Sequence, residues 1–402
     1  MLDYKAQPPC VVIYATQKDT IKENNKPFYS VKSIFQDHWL DYKASHNPRQ
    51  IEIDEVEKML LCKSDEKGCF VFYCKNCNEY HFERFGCNSR LCSQCGKRYH
   101  DEWAEKLSRK IIKGVVYRHI VFTLPSELWL IIKEHRELLK IISDVSYQTI
   151  QKAFSKMKHI EKLIPGVIAV VHPFGKDIEF KPHVHNVVTE GGFNRNGRYI
   201  PLGEYIPYKL FHLLWQEKIL NVFKEYIPKE MIDGLFRKYP KGFYVFVKPE
   251  RIRSGKRLVE YLGRYLRHPA IANSRIDRYN GEVVRFFYEN HEGKTIRRVM
   301  NVFDFTSAII QHIPEKHFRL VRYYGTCARR KTGVIKSFIQ QSIIASSNPV
   351  QNCNKRHSLC PKCHSEMEFI MYCKKPPPKD MNKITAWLEM QKLFQRSCPL
   401  GH

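Results

Sequence analysis

The chain has 402 residues, of which 43% are hydrophobic and 13% aromatic, so it can bury a sizeable core and carry one or two smaller modules. Lysine and arginine number 67 against 41 acidic residues, and the net charge of +26 predicts a polyanionic partner, with nucleic acid favoured over a membrane surface. The chain lacks an apolar run of about 18 residues and a signal-peptide layout at its N-terminus, which predicts no membrane association and a cytoplasmic, nucleoid-associated protein.

The cysteines divide the chain into regions. Eight of the 14 lie between Cys10 and Cys95, six lie between Cys327 and Cys398, and none lies between these two groups. In a large chain without an export signal, C-x-x-C pairs more often bind metal than form disulfides. The predicted regions are an N-terminal extension (1–50), a zinc-binding domain (51–112), a central domain (113–330) and a C-terminal tail (331–402).

Two C-x-x-C knuckles stand in the cysteine-rich head, separated by 14 residues, which is one short of the usual zinc-ribbon window. Four thiolates complete a closed tetrahedral site that can stabilise a module with little core of its own. His81 and Cys87 lie between the knuckles and could replace one ligand or serve a second ion. The predicted ligands of this structural Zn²⁺ are Cys74, Cys77, Cys92 and Cys95.

The tail carries a further knuckle, formed by Cys360 and Cys363, which predicts a possible second zinc site. Its partner ligands are ambiguous in the sequence. Four residues could complete the site: Cys353, His357, Cys373 and Cys398.

The central domain mixes strands and helices without regular βαβ alternation. This favours an α+β fold with a mostly antiparallel sheet flanked by helices. The apolar stretch 166–175 and the following "HVHNVV" (183–188) most simply form a hairpin. Other predicted strands are 118–125, 242–249, 282–288, 296–302 and 318–325, with helices over 126–162 and 204–236.

The stretch "FKPHVHNVV" places two histidines two residues apart in a predicted strand. Residues i and i+2 of a strand project from the same face, so His183 and His185 can converge on one metal ion while Val184 points into a core. The hairpin would bring His172 near this pair. Taken alone, such a pair is more often structural than metal-binding.

The segment 254–269, "SGKRLVEYLGRYLRHP", predicts a helix with a serine cap and a proline stop. Tyr261 and Tyr265 are four residues apart and share one face. A plain amphipathic helix with a solvated basic face would explain this pattern. Beside a histidine pair in a strongly basic protein, a phosphate-handling surface becomes the favoured interpretation. The candidate DNA-binding residues are Arg253, Lys256, Arg257, Arg264 and Arg267.

These motifs resemble a known family. "KPHVHNVV" is similar to the HUH motif (histidine, hydrophobic residue, histidine) of rolling-circle endonucleases, and "VFTLP" resembles the strand motif that precedes it. "HPFGKDIEFKPHVHNVVTEGG", "YLGRYLRHPAIANSRI" and "FRLVRYYG" are similar, in that order, to two-tyrosine rolling-circle transposases of insertion sequences. The head resembles the zinc-binding domain that precedes the catalytic core in that family. The resemblance covers roughly residues 50 to 330 and the 360–363 knuckle.

The resemblance implies an HUH-endonuclease-like catalytic domain acting on single-stranded DNA at element ends and on target DNA. Tyr261 and Tyr265 would form 5′-phosphotyrosine links, assisted by Mg²⁺ or Mn²⁺ held by His183 and His185. A third metal ligand is needed, and hairpin geometry favours His172. Asp177 and Glu179 remain alternatives.

No G-x-x-x-x-G-K-[ST] loop occurs in the sequence, so no nucleotide cofactor is expected. Two other functions remain open. One is an HUH replication initiator or relaxase, which shares the nicking step. The other is a non-catalytic zinc-ribbon DNA-binding protein, in which the histidine and tyrosine pairs would be coincidental.

Overall fold

The structure is a computed structural model. It describes residues 29–93, 95, 115–203, 206–253, 270–290, 292–328, 359–374, 383–384 and 386–390. The described chain is of mixed α+β type, as predicted, with helices set against antiparallel sheets. None of the described helices combines the length and apolar character needed to cross a membrane.

The helices of the described residues are α1 (Val31–His46), α2 (Gln50–Leu60), α3 (Trp129–Glu134), α4 (Leu138–Lys158), α5 (Tyr208–Phe223), α6 (Lys229–Lys238) and α7 (Val302–Ile310). The strands are β1 (Cys69–Cys74), β2 (Glu79–Arg84), β3 (Tyr117–Thr123), β4 (Gly166–Phe174), β5 (Phe180–Thr189), β6 (Gly191–Phe193), β7 (Tyr199–Pro201), β8 (Val245–Val247), β9 (Ile276–Tyr279), β10 (Val283–Glu289), β11 (Thr295–Asn301), β12 (Val321–Gly325) and β13 (Glu368–Cys373).

The largest sheet has five strands in the order β12-β4-β5-β3-β8, with antiparallel pairing throughout. The predicted hairpin of 166–175 and 183–188 is present as β4 and β5 at its centre. One face of this sheet packs against α4 and α5, and Phe122 and Val184 of the sheet meet Trp215 of α5 in the main core. Because side chains alternate along a strand, the neighbours of Val184 are directed to the opposite face.

In a second core, α1 and α2 pack against the sheet β11-β10-β9 and α7. Trp39 of α1 and Val56 of α2 are buried there together with Phe286 and Phe305. Ile178, at the tip of the β4–β5 hairpin, is also buried in this core. It adopts a left-handed backbone with φ of 63°. Such a conformation is unfavourable for a β-branched residue, so burial and a hydrogen bond from His312 Nε2 to its carbonyl (2.7 Å) stabilise the turn.

The third sheet unites the two ends of the described chain, because β1 pairs with both β2 and the far C-terminal β13. Val71 and Met371 are buried on one face of this sheet beside Trp387 and Leu388. The tail is therefore packed onto the cysteine-rich head.

Candidate metal centres and the tyrosine segment

The β4–β5 hairpin brings three histidines to one face of the central sheet. His172 stands directly opposite His183 in the antiparallel register, and His185 follows two residues later on the same face. Their candidate ligand atoms all lie within 4.8 Å of one another. The structure thus brings together the three residues that the sequence predicted as ligands of a catalytic metal ion.

Hydrogen bonds orient the two rings of the H-V-H motif. His183 Nδ1 lies 2.7 Å from the carbonyl oxygen of Lys181, so Nδ1–H donates and Nε2 keeps its lone pair. The Nε2 atoms of His183 and His185 are 2.9 Å apart. Two nitrogen ligands about 2.1 Å from one ion lie roughly 3 Å apart when they meet at a right angle, so the pair fits shared coordination.

Burial keeps the imidazoles of His183 and His185 neutral, which is the form that binds metal. Burial lowers the pKa of His183 and, together with the nearby imidazoles, holds the pKa of His185 well below its usual value. Burial also lowers the pKa of the adjacent His119 to about 3.

The alternative ligands Asp177 and Glu179 lie in an ion-pair network at the hairpin tip. Lys181 pairs with Asp177 and, at 3.0 Å, with Glu179. Arg298 also approaches Glu179 at 2.9 Å. Neither carboxylate belongs to the histidine cluster.

Most of the remaining predicted site residues lie in the segment 254–269, which we call the tyrosine segment. Tyr261, Tyr265, Lys256, Arg257, Arg264 and Arg267 lie outside the described residues. Arg253, which immediately precedes the segment, is exposed. On one flank, Ile252 forms a bridge with Tyr117 in β3. On the other flank, Ala270 lines a cleft of about 140 Å³ together with His172.

Cys62, just after α2, lies with Cys87, Cys92 and Cys95, which come after β2, and the four thiols form the first cysteine cluster. The Sγ atom of Cys62 lies 3.6 Å from the Sγ atoms of both Cys92 and Cys95, and Cys87 Sγ is 3.7 Å from Cys95 Sγ. All four residues are buried in the second core.

Cys74 and Cys77 lie with Cys360 and Cys363 of the tail in the second cysteine cluster. Cys74 Sγ is 3.5 Å from Cys363 Sγ, and Cys77 Sγ is 3.8 Å from Cys360 Sγ. The other residues considered for this site are not in the cluster: Cys373 is buried in the small core beside it, and Cys353, His357 and Cys398 lie outside the described residues.

The grouping predicted from the two knuckles of the head is therefore corrected by the structure. Cys74 and Cys77 do not meet Cys92 and Cys95, because β1 and β2 carry the first knuckle to the sheet edge shared with the tail. Cys87 belongs to the first cluster. His81 Nε2 lies 3.5 Å from Cys360 Sγ, beside the second. Cys62 was not identified as a ligand from the sequence because it has no C-x-x-C partner. Its only sequence signal was a cysteine at the end of a helix.

Both clusters fit a zinc ion. In a tetrahedral site with Zn–S bonds of about 2.3 Å, neighbouring sulfur atoms lie roughly 3.8 Å apart. The sulfur–sulfur separations of 3.5–3.8 Å in the two clusters are close to this value. Hydrogen bonds lower the pKa of one thiol in each cluster: a bond from Cys87 lowers the pKa of Cys92 to about 5, and bonds from Ser365 lower the pKa of Cys363 to about 6. Burial raises the pKa of Cys62, and a hydrogen bond with Cys363 raises the pKa of Cys77.

Comparison with known proteins gives two family matches. Residues 166–333 match a family described as "Putative transposase", and residues 34–124 match a family described as "Transposase zinc-binding domain". The second match contains the whole first cysteine cluster, and the first contains all three clustered histidines.

Two curated proteins are similar over most of the chain. The transposase for insertion sequence element IS801 of Pseudomonas savastanoi pv. phaseolicola is 28% identical over 318 residues, covering 73% of this chain and 75% of that protein. "Putative transposase y4qJ" of Sinorhizobium fredii is 24% identical over 375 residues, covering 83% and 92%. No solved structure gives a significant match. The chain thus carries a match to a transposase zinc-binding domain at 34–124, followed by a match to a transposase family at 166–333.

Proposed function

We propose that this transposase nicks and joins single-stranded DNA at the ends of its insertion sequence through a 5′-phosphotyrosine intermediate. Tyr261 and Tyr265 are the proposed nucleophiles. The observation that carries the proposal is the cluster of His172, His183 and His185 on the central hairpin. It supplies a metal-binding site in a protein whose family acts on DNA, and whose chain carries a net charge of +26.

The three imidazoles suit a divalent cation with open coordination positions, and the lack of a carboxylate among them favours Mn²⁺ over Mg²⁺. When bound, the ion would polarise the scissile phosphate and offset the negative charge that builds on its oxygens. The protein contributes ring orientation, through the Lys181 carbonyl, and neutral imidazoles, through burial.

Each strand-transfer step is an exchange of phosphate esters. The phenolic oxygen of one tyrosine loses its proton and attacks phosphorus, the bond from phosphorus to the 3′ oxygen breaks, and that oxygen leaves as a 3′-hydroxyl after taking up a proton. The DNA 5′-phosphate is then linked to the tyrosine. A free phenol has a pKa of about 10, so it needs activation at neutral pH. Attack by a 3′-hydroxyl reverses the step, so the phosphoester energy is conserved without a nucleotide cofactor.

The described flanks of the tyrosine segment support this assignment. Ile252 is bonded to β3 of the histidine-bearing sheet, and Ala270 shares a cleft with His172. Arg251 is tied to Glu190, the residue after β5, by an ion pair of 2.9 Å. The chain thus leaves the described fold at the histidine-bearing sheet and re-enters it at the cleft that His172 lines.

The proposed substrate is single-stranded DNA at element ends and at the target, engaged in the cytoplasm. Arg253 is exposed at the start of the basic segment, and Lys256, Arg257, Arg264 and Arg267 continue it in the sequence. These side chains would track the phosphate backbone.

The test incubates the purified chain with a labelled single-stranded oligonucleotide from the element terminus and Mn²⁺, followed by denaturing electrophoresis. The wild-type chain is expected to give a covalent adduct. The double variant Tyr261→Phe/Tyr265→Phe should bind the oligonucleotide without forming the adduct. Tyr208→Phe, at an exposed tyrosine of α5, is the matched control and should retain it.

A second arm uses His183→Ala/His185→Ala, which should remove metal-dependent nicking while DNA binding persists. An adduct that survives in the double tyrosine variant would show that the nucleophile lies elsewhere. A wild-type chain that binds DNA but never nicks it would instead favour a binding protein.

A further inference from the structure

The two C-x-x-C turns of the second cysteine cluster share a backbone arrangement. In each, the residue after the second cysteine is left-handed: Asn78 has φ of 56° and His364 has φ of 58°. The Cys77 N–H donates to Cys74 Sγ at 3.4 Å, and Ser365 donates to Cys363 Sγ. Such turns aim backbone N–H groups at sulfur and so stabilise thiolates.

Polar contacts hold the two turns face to face. Asn76 Nδ2 donates to Ser365 Oγ at 2.7 Å, and Lys362 Nζ pairs with Glu79 at 2.5 Å. His81, on the neighbouring strand, has its Nε2 3.5 Å from Cys360 Sγ. An imidazole N–H at this position offsets part of the charge of a thiolate ligand.

A sheet and a small core support the same contact. Five residue pairs join β1 to β13, among them Cys69 with Cys373. The buried side chains of Ile384, Trp387 and Leu388 cover this sheet, and Trp387 packs edge-on against Phe82 at 6.1 Å between ring centroids. The far end of the chain is therefore part of the fold of the head.

We propose that Cys74, Cys77, Cys360 and Cys363 bind one structural Zn²⁺ that fastens the C-terminal segment 359–374 to the N-terminal zinc-binding domain. Neither family match assigns this site. The zinc-binding match ends at residue 124 and contains only two of the four ligands, while the transposase match ends at residue 333. Two thiolates alone leave zinc half-coordinated, so the head requires the tail to close its second site.

Zinc analysis of the full-length chain tests this ligand set. The background variant His183→Ala/His185→Ala prevents zinc from occupying the histidine cluster, and it should hold about two zinc ions per chain, one in each cysteine cluster. Adding Cys360→Ser/Cys363→Ser should leave about one, and so should adding Cys74→Ser/Cys77→Ser. Adding all four substitutions should also leave about one, because both pairs serve the same ion.

The first cluster supplies the matched control. Cys62→Ser/Cys87→Ser should remove the other ion, and its combination with Cys360→Ser/Cys363→Ser should remove both. Retention of two ions by Cys360→Ser/Cys363→Ser would overturn the proposal. Loss of both ions in the four-serine variant would overturn it as well, since the remaining cluster is complete without those residues.

A more conservative change covers the case in which the serine variants do not fold. Cys363→His keeps four ligands and replaces one sulfur by nitrogen. The two clusters of the Co²⁺-substituted chain have eight thiolate ligands in total. Replacing one of them should lower the sulfur-to-cobalt charge-transfer absorbance by about one eighth. Unchanged absorbance in Cys363→His would show that this thiol binds no metal.

The fastening role has its own readout. A protease site inserted at 345–348 allows the chain to be cut between the transposase domain and the tail. The C-terminal fragment should co-purify with the rest of the chain, and a strong zinc chelator should release it. A fragment that stays bound after zinc removal, or separates while zinc is still bound, would contradict the role. All these measurements are independent of DNA nicking, so they remain decisive if the tyrosine assignment fails.

Discussion

The Nε2 atom of His119 lies 2.9 Å from the Nδ1 atom of His185. His185 directs its Nε2 toward His183, so a neutral His185 that binds metal through Nε2 carries its proton on Nδ1 and donates it to His119. His119 therefore accepts through Nε2. Carboxylates or backbone carbonyls usually hold the distal N–H of a metal-binding histidine, and here a buried imidazole takes that place.

We predict that His119→Ala weakens Mn²⁺ binding by about 10–100-fold, because His185 loses the acceptor that orients its ring. Isothermal titration with Mn²⁺ measures the effect. His119→Gln offers an amide oxygen as a replacement acceptor and should recover part of the affinity. Equal Mn²⁺ affinity in the wild-type chain and in His119→Ala would mean that His119 only packs against the site.

Glu190 links the central sheet to the residues that immediately precede the tyrosine segment. Its carboxylate receives Arg118 at 3.1 Å and Arg251 at 2.9 Å, and its side chain is only 2% exposed. We predict that Glu190→Ala lowers the free energy of unfolding by about 3–5 kcal/mol, since the buried Arg118 loses its compensating charge. Urea denaturation measures this loss.

The control for Glu190 is Glu161, whose ion pair with Arg195 is shorter, at 2.6 Å, but whose side chain is 76% exposed. Water and salt screen this pair, so Glu161→Ala should change the unfolding free energy by at most about 1 kcal/mol. Similar losses in the two variants would show that burial does not govern the Glu190 interaction.

The histidine site could be predicted from the sequence because it depends on local geometry. The period of two along β5 places His183 and His185 on one face, and the short turn to β4 sets His172 opposite His183. His119 was not predicted, since its position depends on β3 pairing with a strand far away in the chain. The available signal was the alternation in "RHIVFTLP", which places His119 on one face of the predicted strand.

The cysteine clusters show where sequence spacing stops being informative. A C-x-x-C turn supplies two ligands locally, but the ligands that complete the site depend on which chain segments pair. Cys74 and Cys77 have nearby cysteines in the sequence, yet β13 brings Cys360 to them across the fold. Long-range strand pairing of this kind leaves no periodic trace in the sequence.

The basic tyrosine segment predicts a salt-dependent contribution to DNA binding. Each lysine or arginine that neutralises a phosphate of single-stranded DNA adds about 0.7 to the slope of log affinity against log salt. We predict that Arg264→Ala and Arg267→Ala each reduce this slope by about 0.7, measured by fluorescence anisotropy at several salt concentrations. Lys43→Ala, at a lysine paired with Glu57 at 3.2 Å on α1, should leave it unchanged. An unchanged slope in the arginine variants would place the DNA elsewhere.

The first cysteine cluster should matter more to the transposase domain than the second does. The loop that carries it forms hydrogen bonds both with α2 and with the residues just before β12. Ser89 Oγ donates to the Glu55 carbonyl at 2.7 Å, and Arg90 donates to the Phe318 carbonyl at 3.0 Å. Arg90 also lines the cleft beside His172. Loss of zinc there would free a loop that contacts the histidine-bearing sheet.

We therefore predict that Cys62→Ser/Cys87→Ser weakens Mn²⁺ binding at the histidines and lowers the melting temperature, by about 2–4 °C for each kcal/mol that the zinc ion contributes to folding. Calorimetry and Mn²⁺ titration measure the two effects. Cys360→Ser/Cys363→Ser should disturb Mn²⁺ binding less, since two ligands of the second cluster, Cys74 and Cys77, end and follow β1 of the small sheet β13-β1-β2, which is separate from the central sheet. Equal loss of Mn²⁺ affinity in both variants would contradict a specific coupling between the first cluster and the histidine site.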